Sequence, residues 1–187
     1  MPFNLPNLLT WLRILLIPLF VGIFYFSVPQ QNLYATIIFT AAALTDWLDG
    51  WLARKLNQTS SFGEFLDPVA DKLMVAAALI ILVQLARVDA TIALIIIGRE
   101  ITVSALREWM AKIGASRSVA VSFLGKVKTL SQMIAIPLLL YHDRIDAFST
   151  QRVGTWLIYI AAVLTLISMI YYIKVALPQA WRHDAAS

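Results

Sequence analysis

Six runs of mostly apolar residues, each about the 20 residues that a helix needs to cross a bilayer, take up most of this chain. They cover residues 5–26, 33–53, 68–86, 91–110, 120–141 and 153–177. The connections are short, so no residues are left for a separate soluble unit, and residues 1–187 read as one membrane domain. Hydrophobic residues make up 60% and charged residues 14%, against roughly 45–50% and about 25% in an ordinary soluble domain. A soluble chain of this size has too little interior to hide that much apolar surface. The expected fold is therefore all-α: a polytopic membrane protein with six transmembrane helices. Asn7, Thr10 and Arg13 recur three residues apart, which suits either an N-terminal segment lying at the interface or helix capping with a snorkelling arginine.

With no cysteine, disulfide scaffolds and thiolate chemistry are excluded. The pI of about 9.5 does not indicate nucleic acid, because the basic residues flank apolar runs and form no tract. Anionic lipid or an anionic substrate fits that pattern better. The N-terminus lacks a signal peptide's basic flank and cleavage site and is expected to be retained. Six spans put both termini on one side. That side, counting Arg99 inside a span, collects 12 of the 15 lysines and arginines, leaving only Arg87, Arg144 and Arg152 opposite. Positive charge stays inside, so the termini and the 55–67 linker are expected in the cytoplasm.

Against this background, Asp46, Asp49, Asp67 and Asp71 are costly. One aspartate at mid-bilayer costs about 2.5–3.5 kcal/mol on the insertion scale, and four together repel one another. Asp46 and Asp49 share a helix face with Gly50 and Ala53, and Asp67 and Asp71 share a face of the next helix. Pro68 is expected at the first position of that helix, with Asp67 as its N-cap. The linker returns the second helix antiparallel to the first, so the two pairs converge. Nearby Lys72 and Arg54 are too few to neutralise four carboxylates. Hard oxygen donors without histidine or cysteine select Mg²⁺ or Mn²⁺, and four carboxylates suffice for two ions about 3.5–4 Å apart, an arrangement suited to phosphoryl transfer. Gly50 and Gly63 leave room for close approach, and Arg54 lies on the Asp46 face, where it can clamp a diphosphate.

The stretch Asp46-Trp-Leu-Asp49-Gly50-Trp-Leu-Ala53-Arg54, eight residues, then Gly63-Glu-Phe-Leu-Asp67-Pro-Val-Ala-Asp71 resembles the signature of the CDP-alcohol phosphatidyltransferases. All eight fixed positions of D-x2-D-G-x2-A-R and G-x3-D-x3-D are filled. The resemblance implies that Asp46, Asp49 and Asp67 hold one metal and that Asp46, Asp67 and Asp71 hold a second. It makes Asp71 the general base for the acceptor hydroxyl. It puts Gly50, Arg54 and Ser60, with Asn7 and Thr10, on the CDP part of a CDP-diacylglycerol donor. It also implies a homodimer in a bacterial-type inner membrane.

The second half adds Arg99, Ser104, Arg107, Lys126 and Lys128, a basic set suited to an anionic acceptor. The runs Gly98-Arg99-Glu100-Ile101, Ser104-Ala-Leu-Arg107-Glu108-Trp109 and Gly125-Lys126-Val-Lys128-Thr129 resemble the branch of the family that uses sn-glycerol 3-phosphate. Serine or inositol phosphate would be the acceptor in neighbouring branches. Two other classes compete on the residues alone. Intramembrane prenyltransferases also use aspartates and Mg²⁺, but lack the Gly-x2-Ala-Arg segment. A divalent-cation transport protein would use the acidic site, but the basic set would repel its cargo.

Overall fold

The computed structural model describes residues 5–56, 61–112, 123–145 and 148–184. Within them are six helices: α1 (Leu5–Tyr25), α2 (Gln31–Leu56), α3 (Ser61–Gln84), α4 (Ala90–Lys112), α5 (Phe123–Tyr141) and α6 (Thr150–Asp184). One two-residue antiparallel pair, β1 (Arg144–Ile145) with β2 (Phe148–Ser149), closes the turn before α6. The all-α expectation holds. Two helices contain windows long and apolar enough by composition to cross a membrane: Leu8–Tyr25 at mean hydropathy 2.0 and Thr150–Pro178 at 2.1. The other helices combine apolar stretches with charged residues.

Each helix turns large apolar side chains outward, among them Leu15, Ile37, Ile80, Leu94, Leu130 and Trp156. In water such a surface would drive association; against lipid it costs nothing. The interior is filled by Phe20, Phe39, Leu79, Leu82, Ile96 and Leu139. Helix contacts close a ring in the order α1, α3, α4, α6, α5, α2, with further contacts of α3 to α2 and α5 across it. The α5–α6 pair is the most extensively packed. Gly154 permits this: a β-carbon there would stand 2.8 Å from Leu139 Cγ. Small residues let membrane helices approach in this way.

Two local expectations change. Residues 5–13 do not form a separate segment; they are the first turns of α1, and Thr10 and Arg13 point inward at 1% exposure each. Asp67 is not an N-cap, because α3 starts at Ser61 and Pro68 lies within it. The proline removes one intrahelical hydrogen bond but is accommodated, as prolines in membrane helices often are.

The chain reversals at the end away from the aspartates are tight. Ser27, Gln30, Ala86 and His142 adopt left-handed backbone, with φ of 50–59°. Ala86 is the cap of a Schellman motif, with Ala86 N–H on Val83 O and Arg87 N–H on Leu82 O, both at 2.9 Å. Arg87 then donates to Leu139 O at 3.0 Å, Leu140 O at 2.7 Å and Asn32 Oδ1 at 2.9 Å, tying the α3–α4 turn to the end of α5 and the start of α2. Thr150, at the start of α6, donates to Asp143 O at 2.7 Å. Beside this staple, burial first and then the Arg87 charge hold the His142 imidazole below its usual pKa.

Candidate active site

At the opposite end, α1 packs against both α2 and α3 and carries Thr10 and Arg13 three residues apart on one face. Arg13 Nη1 donates to Asp46 Oδ1 at 2.7 Å, forming an ion pair between a fully buried guanidinium and a carboxylate 41% exposed. The Thr10 hydroxyl donates to Asp67. One helix thus holds an aspartate from each of two others. Asp71, one turn beyond Asp67, is half-buried. It lines a narrow void with Arg13, Ala42 and Met133, and also a cavity of about 70 Å³ with Lys72, Glu100, Thr129 and Gln132.

Among the described residues, no three acidic or histidine groups stand close enough to hold one ion. The side chains of Asn7, Asp49, Gly50, Arg54 and Lys126, and all of Ser60, lie outside the described residues. The chemistry of the described donors nevertheless suits a hard divalent cation: Asp46, Asp67 and Asp71 offer only carboxylate oxygen. Asp46 is already neutralised by a buried cation, Arg13, so a positive charge is accepted at this position.

A second polar cluster lies beyond the cavity, between α4, α5 and α6. Lys128 and Glu100 form an ion pair, and Arg99 Nη1 stands 3.6 Å from the same Glu100 carboxylate. Arg99 Nη2 donates to Ser168 Oγ at 3.0 Å, while the Ser168 hydroxyl donates to Thr165 O at 2.9 Å. Arg107 Nη2 donates to the Tyr172 hydroxyl at 2.9 Å. Both guanidiniums also lie on the Tyr172 ring, 5.7 and 5.2 Å from its centre, within cation–π range. Lys128, Ser168 and Tyr172 are almost completely buried. Arg99 Nε and Arg107 Nε are buried donors without an acceptor among the described residues. Glu100 is therefore shared by two cations, Arg99 and Lys128, while Arg107 bonds only a phenol hydroxyl, so the cluster carries surplus positive charge. Burying unpaired charge is costly, so the arrangement calls for an anion.

The structure thus brings Thr10 to the aspartates and gathers Arg99, Arg107 and Lys128. Ser104 is half-buried on α4 and takes no part in the hydrogen bonds of the cluster. Five side chains enter that were not assigned a site role from sequence: Arg13, Glu100, Gln132, Ser168 and Tyr172. A charge deep in an apolar run was the available signal for Arg13. The buried stripe Thr165, Ser168 and Tyr172 on α6 was the signal for the last two.

An aspartate face held by α1, next to a cation-rich cluster inside a helical bundle, suits phosphate chemistry. Residues 3–167 match the model of the CDP-alcohol phosphatidyltransferase family, and the chain belongs to that family, a group of membrane transferases that generally depend on a divalent metal. It is similar to proteins named CDP-diacylglycerol–glycerol-3-phosphate 3-phosphatidyltransferase. That of Shigella flexneri serotype 5b (strain 8401) is 49% identical over 182 residues, covering 94% of this chain and 96% of the relative. That of Escherichia coli (strain K12) is 48% identical over the same shares.

Proposed function

We propose that this protein transfers the phosphatidyl group of CDP-diacylglycerol to sn-glycerol 3-phosphate, giving phosphatidylglycerophosphate and CMP in phospholipid synthesis. It works as a single domain of six crossings in a bacterial inner membrane, as a homodimer, with its site facing the cytoplasm. The observation that supports the choice of acceptor is the cluster beyond the Asp71 cavity, where three cations, Arg99, Arg107 and Lys128, gather around the single carboxylate of Glu100. A phosphate monoester carries about −1.5 to −2 at neutral pH, which suits that surplus of positive charge. Serine brings no such charge, and inositol phosphate brings it on a much bulkier ring. A divalent cation as cargo would be repelled.

In this reading Asp71 accepts the proton of the acceptor hydroxyl as its oxygen bonds to the phosphorus of the diacylglycerol phosphate. The bridging phosphorus–oxygen bond of the diphosphate breaks, and CMP departs with the electron pair. Asn7, Thr10, Gly50, Arg54 and Ser60 hold the CDP part, and Lys126 joins Arg99, Ser104, Arg107 and Lys128 around the acceptor phosphate. Two divalent ions, Mg²⁺ or Mn²⁺, held by Asp46, Asp49, Asp67 and Asp71, would neutralise the diphosphate and the departing CMP. The test is CMP release by purified protein with CDP-diacylglycerol and a panel of acceptors. Glycerol 3-phosphate should be used, while glycerol, serine and inositol should not, and chelation should abolish turnover. Efficient transfer to serine would overturn the acceptor, and full activity in chelator would overturn the metals.

A further inference from the structure

Gln132 is a polar residue that the reaction above leaves unused. It lies on α5 one turn from Lys128, so the two share a helix face. It is 3% exposed, and its side-chain oxygen is buried without a hydrogen-bond donor among the described residues. Leaving such an atom unsatisfied costs about 1–3 kcal/mol. The same side chain lines the 70 Å³ cavity, together with Asp71 and Glu100. Glu100 joins that cavity to the cation cluster through its ion pair with Lys128. Gln132 therefore adjoins both groups that an acceptor has to reach at once: a base for the reacting hydroxyl and cations for the phosphate.

We propose that Gln132 is a specificity-determining residue that binds the second, non-reacting hydroxyl of the acceptor. The inference rests on the acceptor reading given above. In glycerol 3-phosphate that hydroxyl sits on the carbon between the reacting oxygen and the phosphate ester, and Gln132 shares the cavity of Asp71 and the helix face of Lys128. A carboxamide presents an acceptor and a donor side by side, so it recognises a hydroxyl in either sense. A pocket built around such a bond rejects an otherwise identical ligand that lacks the hydroxyl, because its own polar group is then left unpaired.

The test compares glycerol 3-phosphate with 3-hydroxypropyl phosphate, which keeps the phosphate and the reacting hydroxyl but lacks the middle one. For wild-type protein, kcat/KM should favour glycerol 3-phosphate by about ten- to a hundred-fold. In Gln132→Met, of similar volume, the preference should fall close to one, with KM for CDP-diacylglycerol within about two-fold of wild type. Gln132→Glu retains an acceptor and should recover part of the preference; it also keeps the test valid if the methionine variant does not fold. An undiminished preference in both variants would overturn the assignment, as would equal loss of activity with both acceptors. Wild-type protein that makes no product from glycerol 3-phosphate would instead remove the acceptor reading itself, and this inference with it.

Discussion

If Asp46 is a metal ligand, as proposed, the Arg13–Asp46 pair should make stability depend on metal in a way that can be measured. Arg13 is buried at 1% exposure and holds Asp46 through a charged hydrogen bond of 2.7 Å. Arg13→Gln removes the charge and the fixed fork of donors. Charged hydrogen bonds are worth about 1.5–3 kcal/mol, and the lower half of that range applies because Asp46 keeps contact with solvent. If Arg13 stands in for a cation on Asp46, the loss should appear in chelator and largely vanish in saturating Mg²⁺, where the ion neutralises the same carboxylate. The variant should also bind Mg²⁺ more tightly, since no side chain competes. A competitor worth about 1.5 kcal/mol corresponds to roughly ten-fold in affinity. Thermal melts of wild type and variant, in chelator and across a Mg²⁺ titration, measure both effects without any turnover. Equal destabilisation in chelator and Mg²⁺, or weaker Mg²⁺ binding by the variant, would refute the reasoning and leave Arg13 as a structural tie.

Three further outcomes are expected. Asp71→Asn should lower turnover by about 10²-fold or more in a CMP-release assay while CDP-diacylglycerol still binds. Tyr172→Phe keeps the ring under both guanidiniums but frees Arg107, so KM for the acceptor should rise by about five- to ten-fold with kcat little changed, by steady-state kinetics. Gly154→Ala places a β-carbon 2.8 Å from Leu139 Cγ, so Leu139 or the α5–α6 packing must shift, costing about 1–3 kcal/mol and lowering the melting temperature in detergent.

The aspartate signature was legible because its chemistry demands fixed spacing on two helices, and fixed spacing survives in a linear sequence. The number and class of helices were legible for a similar reason: a bilayer sets their length. What was hidden depends on which helix stands beside which. Arg13 reads naturally as snorkelling until α1 is found packed on both α2 and α3. The ring order depends on local fits such as Gly154 against Leu139, which apolar composition does not encode. Pro68 reads as a helix start because sequence rules price an interior proline as in water, whereas α3 carries it within the helix. Gln132 was invisible as a site residue because a lone amide in an apolar run says nothing about the cavity it faces.

The staple formed by Arg87 has a mechanical consequence. It joins α2, α5 and the α3–α4 turn at the end away from the aspartates, where the left-handed caps also lie. Helices anchored at one end behave as cantilevers, and play that is small at the root grows along the length. A helix of 20 residues is about 30 Å long, so a tilt of about 2° at the root moves its tip by roughly 1 Å. Under the proposed function, the freedom to admit and release substrate would lie at the end that carries the chemistry, where the ties between these helices are the side-chain pairs Arg13–Asp46 and Thr10–Asp67.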